Sequence, residues 1–175
     1  MKSATASFML ALCALALVTP SPSQSSGGGL RVEVRTSSSH VRLRDEMVVS
    51  VFFRSPERQI TIWNALYFSA SSGIFLHIFD SSGHETRVRY PLISIDPSPP
   101  DASGRGALIS IGGRSFAGFD DRIPAKFLFP GPGRYTIKCE YMQTLSRNYF
   151  VGNSIWGKED GAIESPGAIV DVSEK

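Results

Sequence analysis

Two serines stand near glycines at almost the spacing of a nucleophile elbow. Gly113-Arg114-Ser115-Phe116-Ala117-Gly118 and Gly152-Asn153-Ser154-Ile155-Trp156-Gly157 both miss the G-x-S-x-G spacing by one residue. The elbow also needs a strand before the serine and a helix after it, and neither serine has that setting, so no catalytic serine is expected. The histidines His40, His77 and His84 are scattered, with no His-Glu-x-x-His pair to grip a metal. His77 alternates with Phe75 and Phe79 and reads as a strand side chain with a polar tip. Asp120-Asp121 and Glu159-Asp160 offer carboxylate oxygens. Calcium takes roughly six to eight oxygens, and neither pair sits in a loop of calcium-binding pattern, so both read as solvated turn acids. No metal or other cofactor is expected, and the chain does not read as an enzyme. Aromatic residues are the remaining candidates for ligand contact. Tyr149 and Trp156 fall in a long late connection and are expected to be exposed, whereas Trp63 and Tyr67 are expected to fill the core.

Cysteine usage points to a compartment. Residues 1–23 run from a positive charge at Lys2 through an unbroken apolar stretch at 8–18 (FMLALCALALV) to small residues and prolines. That order is a secretory signal peptide, with cleavage expected before Gln24. The apolar stretch is shorter than the roughly 20 residues a bilayer span needs. Acylation at Cys13 is not expected, because Leu12 precedes it where a small residue belongs. Cys13 would leave with the signal, so Cys139 alone remains and no intramolecular disulfide can form. In an oxidising compartment such a thiol must be buried, paired between chains, or used. Its neighbours favour burial.

The chain carries 18 lysines and arginines against 16 aspartates and glutamates, a net +2, and the part after residue 23 about +1. No long run of one sign appears, which argues against a nucleic-acid footprint. No later segment is long and apolar enough for a membrane span, and a monomer is expected. None of Asn64, Asn148 and Asn153 begins an Asn-x-Ser/Thr site, as suits a bacterial exported protein, periplasmic or secreted.

The elements that must position these residues read as strands. Residues 24–29 (QSSGGG) form a flexible linker by composition. From residue 30 to 175, one domain of short strands is expected. Leu30, Val32 and Val34 alternate with charged residues, and Val49, Val51 and Phe53 share a face. Ile60 to Phe68 is β-branched and aromatic, the composition strands favour. Ile74, Leu76 and Ile78 make another inward face, and Asp80-Ser81-Ser82-Gly83 reads as a hairpin loop leading to a return strand from Glu85. Residues 91–106 hold four prolines and read as a long loop. Strands are expected at 107–111, 126–129, 135–141 and 168–172. No window carries a helical stripe with caps at both ends. The sum is an all-β chain, an antiparallel β-sandwich of about seven to nine strands with no core disulfide.

Residues 133–141 (GRYTIKCEY) follow the turn Pro130-Gly131-Pro132-Gly133 and alternate strictly, with Tyr135, Ile137, Cys139 and Tyr141 on one face. The stretch resembles the late strand of immunoglobulin-like sandwiches, in which a Gly-x-Tyr turn opens the penultimate strand. The resemblance implies that the Tyr135 hydroxyl bonds back to the chain as a tyrosine corner. The spacing from Tyr135 to Cys139 differs from that of antibody-type domains, and Cys139 has no earlier cysteine to pair with. The chain is more similar to exported bacterial sandwich domains, including proteinase-inhibitor-like ones. They share the Gly133-x-Tyr135-x-Ile137 strand after a Pro-Gly turn, the early Asp45-Glu46-Met47-Val48, and the tail Trp156-Gly157 with Gly161-Ala162-Ile163-Glu164-Ser165. The resemblance runs from Leu30 to Val172. It supports the fold more than any activity, because one fold hosts many functions, and the function expected is an exported, non-catalytic binding module meeting another exported or envelope protein. Two alternatives stand beside it: a proteinase inhibitor presenting the loop at 91–106, and a carbohydrate- or peptide-binding sandwich using Tyr149 and Trp156.

Overall fold

A strand sends successive side chains to opposite faces, so an apolar residue at every second position makes a ribbon with one side for the core. The computed structural model of the chain describes residues 29–68, 72–86, 107–113 and 115–174. The expected signal at 1–23, residues 24–28 of the expected linker and the proline-rich loop at 91–106 lie outside the described residues. Gly29 is buried against Ile60 and Ser55.

Eleven strands are described: β1 (Arg31–Thr36), β2 (His40–Arg42), β3 (Glu46–Arg54), β4 (Ile60–Trp63), β5 (Ile74–Phe79), β6 (Glu85–Thr86), β7 (Leu108–Ile111), β8 (Phe116–Pro124), β9 (Gly133–Tyr141), β10 (Ile163–Glu164) and β11 (Ala168–Ser173). That exceeds the seven to nine expected, because several are two- or three-residue pairings at strand ends. They form a three-stranded sheet ordered β1-β3-β8 and a six-stranded sheet ordered β2-β11-β9-β5-β6, with β10 also on β9; β4 and β7 make a separate pair. Every pairing is antiparallel except β2 with β11, which is parallel and so departs from the purely antiparallel expectation.

The two larger sheets enclose one core. Val32, Met47, Val49, Val51 and Phe53 face inward from the first, and Ile74, Ile78, Ile137, Cys139 and Tyr141 from the second. The rings of Phe53 on β3 and Tyr141 on β9 meet edge to face across the gap, with centroids 5.1 Å apart. Burying each large apolar side chain contributes roughly 1.5–3 kcal/mol relative to leaving it in water. Ile60, Ile62 and Ile111 of the β4–β7 pair join the same core. The chain is therefore an all-β sandwich without a disulfide.

Three segments differ from the sequence expectation. The strand at 60–68 stops at Trp63; Ala65 and Phe68 still reach the core, but from irregular backbone. The expected strand at 126–129 is one helical turn, Ala125–Leu128, whose spacing puts Ala125 and Leu128 on the same buried side. β8 is a strand that the composition conceals. Gly118, Asp120, Asp121 and Pro124 all belong to types depleted in strands. β3 offers nine residues of unpaired edge, and β8 accepts that pairing along its full length. Asp120 and Asp121 are thus mid-strand residues opposite Ser50 and Val49, and not turn acids.

Candidate functional site

The Pro130–Gly133 turn delivers Tyr135 inward. Its hydroxyl donates to the Gly131 carbonyl oxygen at 3.0 Å, the backward bond that the family resemblance implies. Gly133 has φ +155°, a backbone conformation that residues other than glycine rarely adopt, and a Cβ there would only touch the Tyr135 ring at ordinary contact distance. The ring packs on Phe129, with centroids 4.9 Å apart. The arrangement locks a strand entry, with the phenol hydroxyl committed to that backbone bond.

Cys139 lies in mid-β9 with no exposure. Burial pushes its thiol up to about 12, with a smaller push from the Glu140 charge. A thiolate nucleophile does not form there near neutral pH. Ser165 clasps the same backbone from both sides: its Oγ accepts from the Cys139 N–H at 2.8 Å and its own N–H donates to the Cys139 carbonyl at 2.8 Å.

The expected exposed pair does not exist. Trp156 is 3% exposed, its Nε1 donates to the Gly161 carbonyl, and its backbone N–H donates to the Thr61 carbonyl at 2.7 Å. The late connection folds over the end of the core, and Trp156 seals it. Tyr149 is half-buried, edge to face with Phe150. Tyr67, expected in the core, is exposed, and Trp63 is half-buried. Glu159 and Asp160 organise the same connection: Glu159 accepts from the Arg147 N–H, and Asp160 accepts from the Arg147 guanidinium and the Gly157 N–H.

Two histidine arrangements arise from the tertiary structure. His77, half-buried on the outer face of β5, has Nδ1 at 2.6 Å from Glu85 on β6 and Nε2 at 3.2 Å from Glu140 on β9. Desolvation acts to lower its pKa, but the hydrogen bonds to Glu85 and Glu140 and their charges outweigh it and the net shift is upward. His40 lies between the Ser39 hydroxyl, 3.0 Å from Nδ1, and Asp171, 3.7 Å from Nε2. This has the residue types of a hydrolytic triad. The His40 side chain is 79% exposed, its contact to Asp171 is longer than a hydrogen bond, and it lies in neither cleft described below. Among the described residues no group of three or more histidine, cysteine or carboxylate side chains is placed to hold a metal ion, and no buried side-chain nitrogen or oxygen lacks a partner.

A concave surface among the described residues lies elsewhere, at one end of the β1-β3-β8 sheet. A cleft of about 520 Å³ is lined by Arg31, Glu33, Arg54, Pro56, Gly113, Ser115 and Phe116. A second hollow adjoins it and shares Pro56, Gly113 and Ser115. Its walls are the β3–β4 and β7–β8 connections. Gly112 lets them touch: a Cβ there would stand 2.8 Å from the Gln59 Cα. The Ser115 hydroxyl closes the β7–β8 turn, donating to the Gly112 carbonyl and accepting from the Gly112 N–H. On the floor, strand register makes a row of Arg31, Arg54 and Phe116, with Glu33, Phe52 and Gly118 in the next row. Phe116 is 59% exposed and meets Phe52 edge to face at 5.8 Å. Arg35 lies over the Phe52 ring and Arg54 over the Phe116 ring. Gly118 makes room for this pair, since a Cβ there would approach the Phe52 ring to 3.0 Å and the Val51 carbonyl oxygen to 2.5 Å.

The sequence reading missed this surface. Its one local signal was the apolar residue at an outward position, Phe52, in a strand whose inward face was already full. The outer face of the other sheet is different in kind. There Lys138 pairs with Glu164 at 2.7 Å, Arg134 approaches Asp171, and His77 is held by two glutamates. No family model, no curated protein and no solved structure matches this chain.

Proposed function

We propose that this chain is an exported, non-catalytic binding module that meets another exported or envelope protein through the Arg31–Arg54–Phe116 end of the β1-β3-β8 sheet. One observation carries the reading: a large exposed phenyl ring stands in a cleft among arginines on a sheet face whose core side is already filled. Exposed aromatic and arginine side chains concentrated at one place are the composition of interface anchors. The described residues that could have done chemistry support the same view, since Cys139 is buried and protonated and the Ser115 hydroxyl is tied to its own turn. The test is affinity capture from the exported fraction with the full chain and with Phe116→Asp. The expected result is a partner retained by the parent and lost with the variant. A partner retained equally by both moves the site elsewhere, and no partner above the bare matrix sinks the reading.

A further inference from the structure

β1 and β3 pair so that Arg31 stands directly opposite Arg54. Like charges directly opposite across a strand pair destabilise it. A sheet keeps such a pair at a cost to its own stability, and costs of this kind gather at functional sites. The neighbouring carboxylate does not cancel the charge. Arg35 donates to Glu33 at 3.0 Å, Arg54 comes only within 3.7 Å of the same Glu33, and Arg31 has no carboxylate within ion-pair distance among the described residues. Among the described residues the cleft is lined by two arginines, Arg31 and Arg54, and by one carboxylate, Glu33, which Arg35 already holds from beside the cleft, so Arg31 stands there without a counter-charge.

Resting on the binding reading above, we propose that the cleft takes an extended, acidic peptide segment of the partner protein. A side-chain carboxylate lies between Arg31 and Arg54, and an apolar side chain two residues along lies against Phe116 and Pro56. The spacing fits. Neighbouring strands lie about 4.8 Å apart, so the midpoint of the arginine pair is about 7 Å from the Phe116 strand. Alternate residues of an extended chain are separated by nearly the same distance, about 6.7 Å. The hydrogen-bonding capacity fits as well. Glu33 accepts a hydrogen bond from Arg35 and lies 3.7 Å from Arg54, and the Ser115 hydroxyl both donates and accepts within its turn. Arg31 adds a guanidinium with no ion pair among the described residues, a group that only donates and pairs best with a carboxylate. Sugar hydroxyls need donors and acceptors together. The Phe52 and Phe116 rings each already carry a guanidinium over one face, which removes a stacking platform.

The experiment is an amide-resolved NMR titration of the full chain with a capped peptide, GSLSESLSESG, and with its glutamine counterpart, GSLSQSLSQSG. The acidic peptide is expected to bind, with shifts centred on the amides of Arg31, Arg54 and Phe116, and the glutamine peptide at least tenfold more weakly. Arg31→Ala is expected to weaken the acidic peptide about tenfold, the effect of one lost charge-assisted contact. Its melting temperature should hold level or rise, because the variant relieves the repulsion from Arg54. Equal binding of both peptides, or none, overturns the proposal, as does a melting temperature that falls in Arg31→Ala, which would give Arg31 to the fold. Titration of the same amides by oligogalacturonate, with no response to peptide, replaces the peptide by an acidic glycan. Self-association that is lost in Phe116→Asp replaces it by a second copy. If the peptide fails while Phe116→Asp still loses the captured partner, the binding face stands and only the peptide class falls.

Discussion

The Tyr135 hydroxyl and the Gly131 carbonyl oxygen lie 3.0 Å apart, and this bond closes the turn that launches β9. β9 is bordered by β11 on one side and β5 on the other, so its entry angle sets the middle of the larger sheet. Tyr135→Phe removes one hydrogen bond and should cost about 1 kcal/mol. Tyr135→Ala also empties the space beside Phe129 and should cost about 3–5 kcal/mol, the range for losing a buried aromatic ring. Urea unfolding of both variants measures the difference, and equal midpoints for the two would remove the turn from the account.

Cys139 should behave as a buried apolar group. With its thiol pushed up to about 12, almost no thiolate exists at neutral pH, and no path leads to it from solvent. A thiol reagent should label native protein slowly and reach one equivalent only in denaturant. Rapid labelling of native protein, or a dimer on a non-reducing gel, would place the sulfur outside the core.

His77 links stability to pH with a definite sign. Glu85 and Glu140 raise its pKa in the folded chain above the ordinary imidazole value near 6.5. The protonated form is the one the fold favours, so its stabilisation is fully present below about 6.5 and is lost as pH rises through the raised value. Melting temperatures should therefore decline across that interval in the parent and decline less in His77→Gln. A steeper decline in the variant would mean that the histidine is held neutral.

Two tryptophans report on two environments. Trp156 is sealed in the core by the late connection, and Trp63 is half-buried at the end of β4. In Trp63→Phe the remaining emission should be blue-shifted and resist iodide. In Trp156→Phe the remaining emission should be quenched more readily. If the indole of Trp156 is quenched as fast as a free one, the connection does not cover it.

Alternation along β1, β3, β5 and β9 was legible from residue types alone, and with it the burial of Val49, Phe53, Ile137 and Cys139. The reason is covalent: side chains of an extended chain point in opposite directions at each step, so a strand's buried face is written into any segment whose apolar residues recur every second position. The hairpin at Gly83 and the turn before Tyr135 were legible for a similar reason, since glycine and proline act on their own backbone. Pairing decides the rest, and pairing joins segments far apart in sequence. β8 is a strand because the edge of β3 needs a partner, although its own composition argues otherwise. Trp156 is in the core because Thr61 holds its backbone there, and a loop has no periodicity from which burial can be read. Glu85 and Glu140 reach His77 from two other strands. Arg31, Arg54 and Phe116 lie on three strands with nothing in their local sequences to connect them, and only the register of β1 on β3 and β3 on β8 brings two like charges and an exposed ring into one row.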